Sequence, residues 1–275
     1  MTAMDESTLA PEVLAYYERG GEATRLRNSA PGQLEYWRTQ DILRRALPPA
    51  PSHILDVGGG QGIHAEWLAT DGHRVHLIDP VPSHVEIAST LDGVTAALGD
   101  ARELTATDGS TDATLLLGPL YHLLDRAERV AVLREARRVT KPGGLIAAAT
   151  ISRFSGWLDT TRNHGLTNRD WYGPMYEKLL TTGKLEEWDR GVFTTAFMHR
   201  PEEIHAEATD AGLLHIRQSF IEGPVWLIND IGPDLDDPTN RQAILDGLRR
   251  LESEPSLLGA TPHLMTLATV PANGD

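Results

Sequence analysis

Short apolar runs recur through the middle of the chain, each closed by glycine, proline or an acid. His53 to Val57, Arg74 to Ile78, Val94 to Leu98, Ala113 to Leu117 and Leu145 to Ile151 are too short for helices. They are nearly continuous in apolar residues, which predicts strands buried on both faces. Between them, Ile63 to Asp71, Ser83 to Leu91 and Arg126 to Val139 carry a helical pattern, with Gly72 placed as a C-cap. Lys141-Pro142-Gly143-Gly144 forms the turn into the fifth strand. Such β–α alternation predicts a parallel sheet covered on both sides by helices.

The flanks read differently. Pro11 to Leu47 predicts two helices, with Val13, Leu14 and Tyr17 on one face of the first and Leu34, Trp37, Ile42 and Leu43 on one face of the second. Gly20 to Gly32, rich in Gly, Asn and Pro, predicts a loop between them, and Pro48, Pro49 and Pro51 mark the boundary with the core. The alternation breaks after Ile151. Phe154 to Phe197 carries Trp157, Trp171, Tyr172, Tyr176, Trp188 and Phe193 among scattered Gly and Thr, and reads as an inserted helical cap. A helix from Pro201 to Ala211, a strand from Leu213 to Ile221, a helix near Thr239 to Glu252 and a strand from His263 to Val270 then complete the pattern. The expected organisation is cap helices over 1–47, an α/β core over 48–151, a cap insertion over 152–197 and completion of the core over 198–275.

Composition narrows the function. With 40% apolar and 23% charged residues the chain is of ordinary globular type. A formal net charge of -14 opposes approach to phosphate backbones, so a nucleic acid partner is not expected. Arg134 to Lys141 reads as the solvated face and C-terminus of a helix rather than a basic patch. The absence of cysteine excludes disulfides, thiolate catalysis and Cys-ligated zinc. Met1 to Pro11 lacks the apolar core of a signal peptide, and no uncharged apolar run approaches the ~18 residues of a membrane span. A cytoplasmic monomer or homodimer, with no membrane partner, is the expectation.

The chemistry concentrates after the first strand. Ile54-Leu55-Asp56-Val57 runs into Gly58, Gly60 and Gly62, the pattern of a strand feeding a tight turn that opens a helix. A second acid, Asp79, ends the second strand before Pro80, and a third, Asp100, follows the third strand before Ala101 and Arg102. This order of acid, glycines, acid and acid, followed by Lys-Pro-Gly-Gly, resembles the class I S-adenosylmethionine-dependent methyltransferases over roughly Ile54 to Ile151. The resemblance implies a doubly wound, Rossmann-like α/β fold of seven strands, the last antiparallel, with a helical cap at the carboxyl edge. It implies S-adenosylmethionine as cofactor, S-adenosylhomocysteine as product and a small-molecule acceptor methylated on O, N or C. Gly58, Gly60 and Gly62 would lie under the methionine part, with Asp56 toward its ammonium group. Asp79 would take the ribose hydroxyls, and Asp100 and the Ala101 N–H would meet the adenine. Leu117 and Gly118 would supply backbone contacts, and Tyr17 and Arg25 would reach the methionine carboxylate.

Other readings share these residues. Gly60-Gln61-Gly62-Ile63-His64-Ala65 satisfies a dinucleotide fingerprint, and Asp79 suits its ribose. The strand ends at Val57, which makes Gly58 the first turn glycine, and no Tyr-x-x-x-Lys pair is present for hydride chemistry. A protein that binds the cofactor without catalysis is the other alternative. Tyr121 and His122 lie just beyond the fourth strand, where ligands bind in such sheets, and His122 is the candidate base. His73 and His76 point to opposite faces of a strand and do not make a metal pair; no metal is expected. His199, before a helix start, is read as packing or capping, with a place on the active site as the alternative.

Overall fold

Residues 11–18, 22–162, 172–186 and 193–272 are described in the computed structural model. The described chain opens with helices α1 (Pro11–Glu18), α2 (Glu22–Asn28) and α3 (Ala30–Ala46). The alternating core follows as β1 (His53–Val57), α4 (Ile63–Thr70), β2 (Arg74–Asp79), α5 (Pro82–Ala88), β3 (Val94–Leu98), β4 (Thr111–Leu116), α6 (Arg126–Val139) and β5 (Thr140–Ile151). Next come α7 (Ser155–Arg162), α8 (Tyr172–Thr182) and the short strands β6 (Lys184–Leu185) and β7 (Ala196–Phe197). The chain finishes through α9 (Pro201–Asp210), β8 (Leu214–Phe220), α10 (Gly232–Asp236), α11 (Pro238–Leu251) and β9 (His263–Thr269).

Seven strands form one sheet in the order β3-β2-β1-β4-β5-β9-β8. β1 to β5 pair in parallel, and β9 runs antiparallel to both β5 and β8. Alternate residues of each strand enter opposite cores. Leu55, Ile78 and Leu116 join Val132, Leu133 and Ile204 on one face. Ile54, Leu77 and Leu115 join Ile42, Leu43 and Leu68 on the other. The order reverses between β1 and β4, the switch point at which ligands enter open α/β sheets.

The loop expected over Gly20 to Gly32 is corrected by the structure: from Glu22 it is helical, in α2 and the start of α3, while Gly20 and Gly21 lie outside the described residues. Pro31 and Gly32 sit in the first turn of α3, where backbone N–H groups have no helical partner and proline costs little. Ser29 caps that turn by accepting from Gly32 N–H at 3.1 Å. α3 is clamped to the C-terminal half by Arg38, which is fully buried. Its guanidinium donates to the Ile221 carbonyl at 3.0 Å, to Glu252 at 2.8 Å and to Asp41 at 2.8 Å.

Trp171 and Trp188, expected in the cap, lie outside the described residues. The described part of the cap packs Met175, Leu179, Leu185 and Met198 against Ile151 at the end of β5, with Tyr121, Tyr176 and Phe193 beside them. The structure adds α10 between β8 and α11, where Ile231 and Leu235 pack with Leu34, Phe220 and Leu248. No helix among the described residues is long and apolar enough to cross a membrane.

Candidate active site

Gly58, Gly60 and Gly62 have φ of +68°, +58° and +88°, so the chain reverses tightly after β1. Gly58 N–H donates to the Ile78 carbonyl at 2.7 Å, which ties the turn to β2. A Cβ at Gly60 would meet nothing nearer than 4.0 Å, so this glycine faces open space over a cavity. Gly62 is the N-cap of α4, and a Cβ there would lie 2.6 Å from Leu91. It therefore serves close packing behind the turn and is not on the cavity wall.

Asp56 also lies behind the turn. It is 1% exposed, and a Cβ at Gly59 would stand 2.6 Å from its Oδ2. Neither carboxylate oxygen has a hydrogen-bond partner among the described residues. Burial, and secondarily the charge of Asp79, push its pKa up to about 7.

Asp79 reaches the cavity from the end of β2 and is firmly held. Its Oδ2 accepts from Gly60 N–H at 2.8 Å, and its Oδ1 accepts from Val81 N–H at 3.0 Å and lies 3.1 Å from His84 Nδ1. Asp79 pairs in register with Leu98, so Asp100 emerges just past the neighbouring strand end. Asp100 accepts from Arg102 N–H at 2.8 Å, from Nε at 3.0 Å and from Nη2 at 2.7 Å. Pro80, Ala101 and Arg102 line the same cavity, as do Leu117 and Gly118 from the end of β4.

The expected lid and catalytic residues are brought together. Tyr17 on α1, Arg25 on α2, and Tyr121 and His122 on the 3-10 turn after β4 all line the cavity. Tyr17 Oη is 2.7 Å from His122 Nε2, and His122 Nδ1 is 3.4 Å from the Thr195 carbonyl oxygen. With Nδ1–H directed at that carbonyl, Nε2 takes the Tyr17 hydroxyl hydrogen, and His122 latches α1 to the cap. Arg25 grips Glu35 through both of its terminal nitrogens, at 2.5 and 3.0 Å. His199 is settled as a packing residue: it is fully buried, 3.2 Å from Glu207 and off the cavity.

Four further polar residues, missed by sequence reasoning, complete the picture. Glu35 (α3), His64 (first turn of α4) and His263 (start of β9) line the cavity, and Glu222 lies behind His263 just past β8. His263 Nδ1 is 2.6 Å from Glu222 Oε1 and 3.7 Å from Glu35 Oε2. Burial pulls the His263 pKa down, but the two carboxylates outweigh it and carry it up to about 9. Glu35 is raised by burial and lowered more strongly by His263 and Arg25, to about 2. His64 is pushed down to about 4 chiefly by burial, and its Nδ1 accepts from Trp67 Nε1–H at 3.2 Å. One topological signal was available: the first residue of an antiparallel strand shares the carboxyl edge with the last residues of the parallel ones, which puts His263 beside Glu222. The oxygens of Glu35 and Glu222 and the Nδ1 of His263 come within 4.8 Å of one another. Arg25 occupies both Glu35 oxygens and His263 is turned onto Glu222, so the cluster is closed by ion pairs of its own rather than open to a cation.

Known proteins share this fold and part of this sequence. The family described as a methyltransferase domain matches residues 54–144. The ubiquinone biosynthesis O-methyltransferase of Methylocella silvestris is 32% identical over 171 residues, covering 54% of this chain and 66% of that protein. A ubiquinone/menaquinone biosynthesis C-methyltransferase of Rubrivivax gelatinosus is 32% identical over 126 residues, covering 44% of this chain and 48% of that one. The chain thus spans less than two thirds of the length of these relatives. Among solved structures, a S-adenosylmethionine-dependent methyltransferase of Methanosarcina mazei shares the fold with a TM-score of 0.57 at 18% identity, over 84% of this chain and 98% of that one. A phosphoethanolamine N-methyltransferase of Haemonchus contortus does so with a TM-score of 0.52 at 18% identity, over 86% of this chain and 52% of that one. The glycine turn, the strand-end acids and the seven-stranded sheet thus stand in a chain whose residues 54–144 match the methyltransferase domain family and whose fold is shared with S-adenosylmethionine-dependent methyltransferases.

Proposed function

We propose that this chain binds S-adenosylmethionine in the cleft at the carboxyl edge and transfers its methyl group to a small-molecule acceptor. The observation that carries the reading is the meeting of Gly58, Gly60, Asp79 and Asp100 on one cavity wall. The open space over Gly60 suits a ligand that presses on backbone, and the orphaned carboxylate of Asp56 beneath the turn suits a cationic group above it. Asp79 is pre-oriented by the N–H groups of Gly60 and Val81 to accept from a pair of hydroxyls, a charge-assisted contact. Asp100, steadied by Arg102, faces the adenine position with the Ala101 N–H beside it.

When bound, the cofactor supplies an electrophilic methyl group on a sulfonium. The protein has to hold an acceptor in line with it, and positioning alone supplies several kcal/mol. Tyr17 on α1, held to His122 on the turn after β4, closes the site, while Tyr121 and the cap exclude water behind them. Calorimetry should show binding of S-adenosylmethionine and S-adenosylhomocysteine, with little affinity for NAD(P). Asp79→Ala should weaken that binding at least about tenfold, or ~1.4 kcal/mol, in a protein that remains folded. Binding of NADH in place of the sulfur ligands, or an unchanged Kd in Asp79→Ala, would overturn the reading.

A further inference from the structure

The cavity runs along the sheet edge, and its two ends differ. Asp79 and Asp100 stand at the β2–β3 end. Past the turn after β1, at the β5–β9–β8 end, stand Ala149, Ile221 and His263, with Glu35, Arg25 and His64 facing them from the helices. If the first end holds the adenosine, the second is left for the acceptor.

The second end is rich in N–H donors. His263 commits Nδ1 to Glu222, and its Nε2 has no partner among the described residues. His64 takes the Trp67 indole hydrogen on Nδ1, so its neutral ring carries its proton on Nε2, which also has no partner among the described residues. Both rings line the cavity, and both interact electrostatically with Glu35. Arg25 already donates to both oxygens of Glu35, which leaves that carboxylate partly satisfied. The four charges in the cluster, those of Arg25, Glu35, His263 and Glu222, cancel. A cationic amine would meet donors rather than acceptors here. An oxygen whose charge is spread through a conjugated ring or double bond fits, with the apolar side chains of Ile63, Ile221 and Ala149 for its body.

We propose that His263 and His64 are a donor pair that binds the ionised hydroxyl of a phenol or enol acceptor, with Glu222 and Glu35 holding His263 in place. The proposal rests on the reading of the other end of the cleft as the cofactor site. The hydroxyl proton leaves to water as the oxyanion binds. The oxygen then forms the new O–CH3 bond, and the C–S bond breaks with its electron pair remaining on sulfur. The sulfonium becomes a neutral thioether, the oxyanion becomes an ether, and no proton is passed to the protein. His263 and His64 would touch the acceptor; Glu222 acts through His263 as a positioning residue.

The test uses 4-nitrophenol, whose coloured phenolate reports its own ionisation, mixed with the full chain with and without S-adenosylhomocysteine. At a pH below the free phenol's pKa, the bound phenol should be ionised, with an apparent shift of about tenfold in its ionisation constant. His263→Gln and His64→Phe should each reduce that shift, while titration with S-adenosylhomocysteine shows that the site still folds. Glu222→Gln should retain binding but lower its upper pH limit from about 9, because a carboxylate that keeps His263 protonated is gone. Should His263→Gln fail to fold, Glu222→Gln and His64→Phe carry the test. Binding of the neutral phenol, a shift that persists in both histidine variants, or binding that requires Mn2+ or Zn2+ and is lost with EDTA overturns the proposal. Ionised phenol bound by a protein that never binds S-adenosylhomocysteine supports the donor pair and overturns the cofactor reading. S-adenosylhomocysteine binding with no phenol ionisation does the reverse.

Discussion

Asp56 is the residue whose environment is most at odds with its charge. A carboxyl that ionises near 3.8 in water is pushed up to about 7 inside the fold, because it is buried beneath the glycine turn with no donor among the described residues. Between those values the unfolded chain gives up its proton first. Stability is therefore full below the ordinary carboxyl range and is lost as pH rises toward 7, by at most ~4 kcal/mol if the whole difference is expressed. Asp56→Asn should raise the Tm of the ligand-free protein at pH 8 and change it little at pH 4. A cationic ligand over the turn reverses the balance by favouring the carboxylate. Binding of S-adenosylmethionine near pH 6.5 should then release protons from the wild type and not from Asp56→Asn, measured by calorimetry in buffers of different ionisation enthalpy. Equal proton release from both proteins contradicts the role given to Asp56. Asp56, Asp79 and Asp100 were legible in the sequence because each ends or follows a short apolar run, where a sheet places its ligands. Glu35, His64, Glu222 and His263 were not, since they come from four separate elements and meet only once β9 inserts beside β5 and α3 folds over the edge.

At the scale of elements, α1 is the piece that brings Tyr17 to the cavity. Its described contacts include Tyr17, 2.7 Å from His122 and edge-on to the His84 ring at 5.8 Å, Tyr16, edge-on to the Phe193 ring at 5.3 Å, and Glu12, which accepts from the Thr195 hydroxyl at 2.8 Å. Tyr17→Phe removes one hydrogen bond and keeps the ring. Exchange of the 11–18 amides should quicken several-fold, consistent with a net loss of about 1 kcal/mol, and S-adenosylhomocysteine should restore protection only in part. His122→Ala distinguishes latch from base: a latch raises exchange in the same helix and lowers turnover modestly, whereas a base lowers turnover by roughly 10²–10⁴ with α1 unchanged. Exchange in α1 that is identical in wild type, Tyr17→Phe and His122→Ala contradicts the latch. The strands and α6 could be read from apolar runs, because buried parallel strands leave little choice of residue. The Gly20 to Gly32 segment could not, since Pro31 and Gly32 in a first helical turn carry the same letters as a loop. α10 was missed because five residues between Gly232 and Asp236 are too few to show a helical period.

For the whole molecule, the sheet acts as a positioning device. Its order β3-β2-β1-β4-β5-β9-β8 lines up acids at one end of the carboxyl edge and an Arg–Glu–His–Glu chain at the other, with the glycine turn between them. α3, clamped by buried Arg38 to Glu252, carries Glu35 to the second end and joins the N-terminal helices to the C-terminal half. The net charge of -14 is thus compatible with a local site whose own charges balance, and it disfavours a polyanionic partner over a small uncharged or weakly acidic one. The most direct measurement is a crystal structure of the chain grown with S-adenosylhomocysteine. The account predicts that both ribose hydroxyls donate to Asp79, that the adenine lies against Asp100 and the Ala101 N–H, and that the homocysteine sulfur faces the end of the cavity lined by His64 and His263. A ligand whose ribose lies away from Asp79, or whose sulfur faces away from those histidines, would contradict it.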